Sequence, residues 1–193
     1  MKYDAIRDKI VLIPYKVSID NVELLGEYLW ERPVEGSDFV FLYGYVDEDG
    51  SLQPIERYQV KEWGCQPTYE YALKNTKKLY KSEYYGELGR KTTLKNNNSE
   101  LIQVTNSCDH LGAVAIFYPG QAEKIAECLG GDFYFCFISQ DDCMCHSALA
   151  YSPDWIKKTL ESTNNIFYSD DQTLSNKVYR FNYAEKSFET LSA

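Results

Sequence analysis

Residues 101–139, LIQVTNSCDHLGAVAIFYPGQAEKIAECLGGDFYFCFIS, constrain the fold more tightly than any other stretch of the chain. They read as strand, turn, strand, helix, strand. Gly112 opens the apolar run AVAIFY, which the pattern assigns to a strand. Pro119 suits a helix start, because its missing N–H would be unpaired in the first turn anyway. Ala122, Ile125, Ala126 and Leu129 fall at i, i+3, i+4 and i+7 and so share one face of a helix over 119–129. Gly130 and Gly131 supply the positive φ that ends a helix. The aromatic run DFYFCFI that follows has the composition of a strand.

The flanks extend this pattern in both directions. KIVLIPY (9–15) and FVFLYGYV (39–46) read as strands, with a short helix over 21–29 between them and Asp20 as its N-cap. Asp47 to Gly50 turns the chain back into a strand over 51–60, where Pro54 marks an edge position. A helix over 67–80 carries Tyr69, Ala72, Leu73 and Thr76 on one face. The polar segment 81–99 is the expected loop or linker. Ser152-Pro153 reads as an N-cap with proline at the first helical position. It opens a helix over 153–162 with Trp155, Ile156 and Leu160 inward. KVYRFNY and SFETL close the chain as a hairpin. The expected fold is therefore one α/β domain of the α+β type over residues 1–193. Its sheet is mixed and mostly antiparallel, flanked by about four helices.

Composition narrows the function classes. A formal charge of −9 opposes a general nucleic-acid binder, whose footprint would be basic. No apolar run approaches the ~20 residues that span a bilayer, so no membrane partner is expected. The opening MKYDAIRDKIVLIPYK interleaves charges with apolar residues, unlike a signal peptide. Six cysteines at scattered spacings then suggest free thiols in the cytoplasm. Seventeen tyrosines offer rigid contact area with a polar tip, which suits a protein interface or a half-wet core.

Chemistry is concentrated in few places. Asp141-Asp142-Cys143-Met144-Cys145-His146 puts three soft ligands, Cys143, Cys145 and His146, within four residues, and zinc takes four N/S ligands. Cys136, Cys128, Cys108 and His110 are the nearest further donors. On a strand, however, Cys143 and Cys145 point to one face while Met144 and His146 point to the other. A thiol hydrolase would need His110 or His146 as base, the chain's two histidines; the paired carboxylates Asp141 and Asp142 can do acid–base work but read as solvated acids at a strand end. Asp170-Asp171 reads as a solvated loop pair. Gly130-Gly131 ends a helix instead of opening one, so it forms no phosphate cradle. No cofactor is implied, and the balance is against an enzyme.

A local excess of cations runs against the total charge. Lys74, Lys77, Lys78, Lys81, Arg90, Lys91 and Lys95 face only Glu83 and Glu87, with Tyr80, Tyr84 and Tyr85 interleaved. Lysines in a last helical turn answer the macrodipole on a solvated face. The same residues make Lys77, Lys78, Lys81, Tyr84, Tyr85 and Lys91 the candidate binding set, and confine any nucleic-acid contact to 74–95.

These segments, in this order, resemble the DUF5688 family of uncharacterised bacterial proteins, common in gut Firmicutes and encoded near mobile elements. The similarity runs through VLIPYKVSIDNVELLGEYLWERPVEGSDFVFLYGYV, Trp63-Gly64 with ALKNTKKLY (72–80), LGAVAIFYPGQAEKIAECLGGDFY and LSNKVYRFN (174–182). Where the family carries Ser-Ser-x-His-Glu after its Phe-Tyr strand, this chain has Ile138-Ser139-Gln140-Asp141-Asp142 and no imidazole. The resemblance implies a bacterial setting and no assigned activity. The expectation is a non-catalytic acidic module that binds a basic protein, as an inhibitor or decoy of a nucleic-acid-handling host factor. The alternative is a hydrolase or metal-assisted enzyme built on 141–146.

Overall fold

Alternating apolar side chains build two antiparallel sheets around one shared core in the computed structural model, which describes residues 2–96, 99–108, 110–167 and 172–191. After a short helix α1 (Tyr3–Ile6), strand β1 (Ile10–Lys16) pairs with β3 (Phe39–Val46). That strand also receives β2 (Trp30–Glu31) and β4 (Leu52–Pro54), which completes a small four-stranded sheet. Helices α2 (Arg57–Trp63) and α3 (Tyr69–Leu79) follow. The second sheet draws on β5 (Ser82–Tyr85), β6 (Lys91–Thr92), β7 (Leu101–Asn106), β8 (Phe133–Phe137), β9 (Cys143–Ser147), β10 (Tyr179–Asn182) and β11 (Ser187–Thr190). Its order is β11-β10-β8-β9-β7-β5-β6. Helix α4 (Gln121–Leu129) precedes β8, and α5 (Pro153–Phe167) links β9 to β10. The mixed α/β domain expected from the sequence is the one observed.

Period-two alternation decides what each sheet buries. Phe39 and Phe41 of β3 point inward, as do Phe133, Phe135 and Phe137 of β8, and all five are fully buried. Phe117 joins the two sets: its ring lies 5.2 Å from Phe41, 6.3 Å from Phe39 and from Phe135, 6.4 Å from Phe137 and 4.8 Å from Phe188. Such edge, tilted and stacked aromatic pairs each add ~1 kcal/mol beyond burial. The opposite face of the large sheet carries Tyr134, Cys136, Met144 and His146, and α5 covers it through Ile156 and Leu160.

Five expectations change. The run from Gly112 to Phe117 is a buried 3-10 helix and not a strand. It is covered on every side, so it has no hydrophobic period to reveal its conformation. Its Ala113 N–H donates to the Gln140 carbonyl, Leu111 N–H donates to Asp141 Oδ1, and Thr105 donates to the Asp141 carbonyl. Residues 21–29 form turns and a single 3-10 turn (Leu24–Gly26), not a helix. There Asn21, not Asp20, organises the chain by accepting from Ser18 N–H and donating to the Lys16 carbonyl. Strand 51–60 stops at Pro54 and gives way to α2, opened by reciprocal Glu56 and Gln59 capping bonds. Segment 81–99 is no continuous loop. It contains β5 and β6, and β5 pairs on one side with β6 and on the other with β7. Asn97 and Asn98 of that segment, and the Asp170-Asp171 pair, lie outside the described residues. Helix α4 starts at Gln121 behind Gly120, which leaves Pro119 outside it.

Candidate functional site

The 141–146 segment divides its chemistry between two faces. Cys143 and Cys145 point into the main core with their sulfurs 4.0 Å apart, whereas His146 and Met144 face α5. The Cys143 thiol is held well above its ordinary value by burial, and Cys136 is pushed up to about 12 by the same cause. A neutral thiol is a poor nucleophile and a poor metal ligand. Asp141 and Asp142 are occupied structurally, since Asp141 holds the Leu111 N–H and Asp142 accepts from Gln103 at 2.8 Å. Cys108 and His110 are exposed on the turn after β7, and Cys128 donates to the Leu94 carbonyl. Among the described residues, no three His, Cys, Asp or Glu side chains converge as a metal site.

His146 is a different matter from its strand neighbours. It is 7% exposed, and its Nδ1 is buried with no partner among the described residues. Loss of water lowers its pKa to about 4, so the imidazole is neutral near pH 7. Tyr151 lies edge-on at 5.1 Å and Trp155 at 6.3 Å. Trp155, expected inward, is half exposed and lines, with His146, a crevice between α5 and the large sheet.

The lysine-rich segment is tied to the fold more closely than its sequence implies. Lys77 donates to the Pro119 carbonyl at 3.0 Å, and Lys91 pairs with Glu83 at 2.8 Å. Tyr84 donates to Gln121, which ties β5 to α4, and Tyr85 donates to Glu83 within β5. Tyr80 contributes its carbonyl to the Tyr118 hydroxyl. Lys78 and Lys81 remain exposed.

A surface that sequence reasoning missed lies over the small sheet. The outward side chains of β3, Val40 and Leu42, form a second cluster with Leu25, flanked by Tyr15, Tyr28 and Trp30. The turn 17–27 lies on this cluster, yet its own Ile19, Val22 and Leu24 are 94%, 53% and 43% exposed. Asp20, Glu23 and Glu27 stand among them, exposed, with no base between Lys16 and Arg32. Residues 17–64 carry eleven acids against three bases, a net −8 of the chain's −9. Counting charge by segment would have found the acidic half; the exposed apolar residues needed the structure, because their spacing suggested a helix.

No family model, no curated protein and no solved structure matches this chain. Among the described residues, no helix is long and apolar enough to cross a membrane.

Proposed function

We propose that the protein is a non-catalytic binding module that engages a basic partner protein through the acidic turn over its small sheet. The carrying observation is the coincidence of three exposed apolar side chains, Ile19, Val22 and Leu24, with Asp20, Glu23 and Glu27 in one nine-residue stretch. Apolar anchors inside a charged rim are the usual anatomy of a protein interface. The concentrated negative charge would steer and select a basic surface. The reading extends to restraint of a nucleic-acid-handling protein, whose phosphate-binding groove an acidic surface can occupy.

The test compares three proteins as baits in a bacterial lysate at low and high salt: the native chain, D20K/E23K/E27K, and I19S/V22S/L24S. The native protein should retain a discrete basic protein, less of it as salt rises. Both variants should lose it while keeping their circular dichroism. Equal capture by all three baits, or none by the native chain, defeats the reading.

A further inference from the structure

One chain carries both halves of a complementary pair of surfaces. Residues 17–64 hold a net −8, whereas residues 74–95 hold seven bases against two acids, a net +5. The structure decides which of those cations are free. Lys77 and Lys91 are taken up by the Pro119 carbonyl and by Glu83. Lys74, Lys78 and Lys81 are exposed and have no hydrogen bond or ion pair from their side chains among the described residues. Lys74 and Lys78 stand one turn apart on α3, on the side opposite the buried Ala72 and Thr76. Leu79, between Lys78 and Lys81 along the chain, is 41% exposed. Three free cations and an exposed apolar side chain thus answer Asp20, Glu23 and Glu27 with their exposed Ile19, Val22 and Leu24. Among the described residues, no ion pair joins 17–64 to 74–95. The turn covers the outward face of the small sheet, over Val40 and Leu42, while α3 packs on the core side through Ala72 and Leu73. The two surfaces do not neutralise each other within one molecule.

We propose that the acidic turn docks on the lysine face of α3 in a second copy of this chain, giving head-to-tail self-association. This names one partner for the turn and rests on its being a contact surface. Opposite charges bring the two patches together and set their register. Burial of the exposed apolar side chains on both sides then supplies the part of the affinity that salt does not screen. The patches differ, so the interface is heterologous: each chain offers a turn to one neighbour and a helix to the next. A nucleic acid fits the lysine face less well, because three free cations belong to a chain whose total charge of −9 repels a polyanion. A second copy brings its negative charge concentrated on the very turn that the lysines would meet.

The test is sedimentation of the purified chain over a range of concentrations. At low salt the native protein should form species heavier than one chain, and these should dissociate at high salt. D20K/E23K/E27K and K74E/K78E/K81E, folded by circular dichroism, should each sediment as single chains. Mixed in equal amounts they should associate again, because each swapped surface then meets the charge it needs and the two unaltered surfaces also match. K74E/K78E/K81E keeps the acidic turn intact, so as a bait it should still retain the basic lysate protein. Self-association and lysate capture can therefore fail separately. A native chain that stays single at every concentration, a variant that still associates alone, or an equal mixture that does not associate would each overturn the proposal. So would binding of a short DNA duplex by a native chain that does not self-associate, which would assign Lys74, Lys78 and Lys81 to nucleic acid.

Discussion

A methyl group at Gly112 would sit 1.8 Å from the Asp141 carbonyl oxygen and 2.6 Å from the Thr105 hydroxyl, distances that force the backbone itself to move. Gly112→Ala should therefore cost several kcal/mol in urea denaturation, on the scale of the worst overpacking changes. His146 makes a prediction of opposite character. Its folded pKa is about 4 against an ordinary 6.5. As pH falls from above 6.5, the unfolded chain takes up a proton that the folded chain refuses, so stability drops until about pH 4 and then levels. Between pH 7.5 and pH 5 this group alone should remove about 2 kcal/mol. H146F should show a correspondingly smaller loss over that interval, measured by urea midpoints at the two pH values.

At the scale of elements, the helices with a clear period were legible and the rest depended on surroundings. α3, α4 and α5 announce themselves through i, i+3, i+4 spacing, and the last two also through Gly130 and Ser152 at their ends, whereas the Thr68 cap of α3 emerges only in the structure. The β10–β11 hairpin and β8 follow from alternation and aromatic content. The Gly112–Phe117 helix did not, because a segment buried all round erases periodicity. Nor did α2, whose capping pair is Glu56 with Gln59 where Ser or Thr is the usual opening signal. Of the candidate site, the opposed faces of Cys143 and His146 could be read from strand geometry, but the unpaired nitrogen and the crevice arise from how α5 packs. One long-range bond shows how elements protect each other. The Leu12 N–H of β1, on the side away from β3, donates to the Thr76 hydroxyl at 3.0 Å, which itself donates to the Ala72 carbonyl. Thr76→Val keeps the volume and strands that N–H in a dry place, so it should cost ~1–3 kcal/mol in chemical denaturation. A loss below a few tenths would show that the edge of β1 finds water instead.

Over the whole molecule, charge and packing are distributed differently. The residues of the small sheet and its connections bear almost all the net charge, so their like charges repel at short range. Added salt should raise the thermal midpoint, and D20K/E23K/E27K should flatten that salt dependence, since screening then has less repulsion to relieve. Packing, in contrast, is shared. Phe117 touches rings from β3, β8 and β11, and the inward faces of both sheets belong to a single buried cluster. Removing either sheet would leave that ring facing water. Neither sheet can then act as a separate foldon, and the chain should lose its structure in one cooperative step. Tryptophan emission reports on both halves, through Trp30 in the small sheet and Trp155 on α5. Its transition in urea should coincide with that of far-ultraviolet dichroism, and the slowest amide hydrogens to exchange should be those of 113–117, released only when the entire molecule opens.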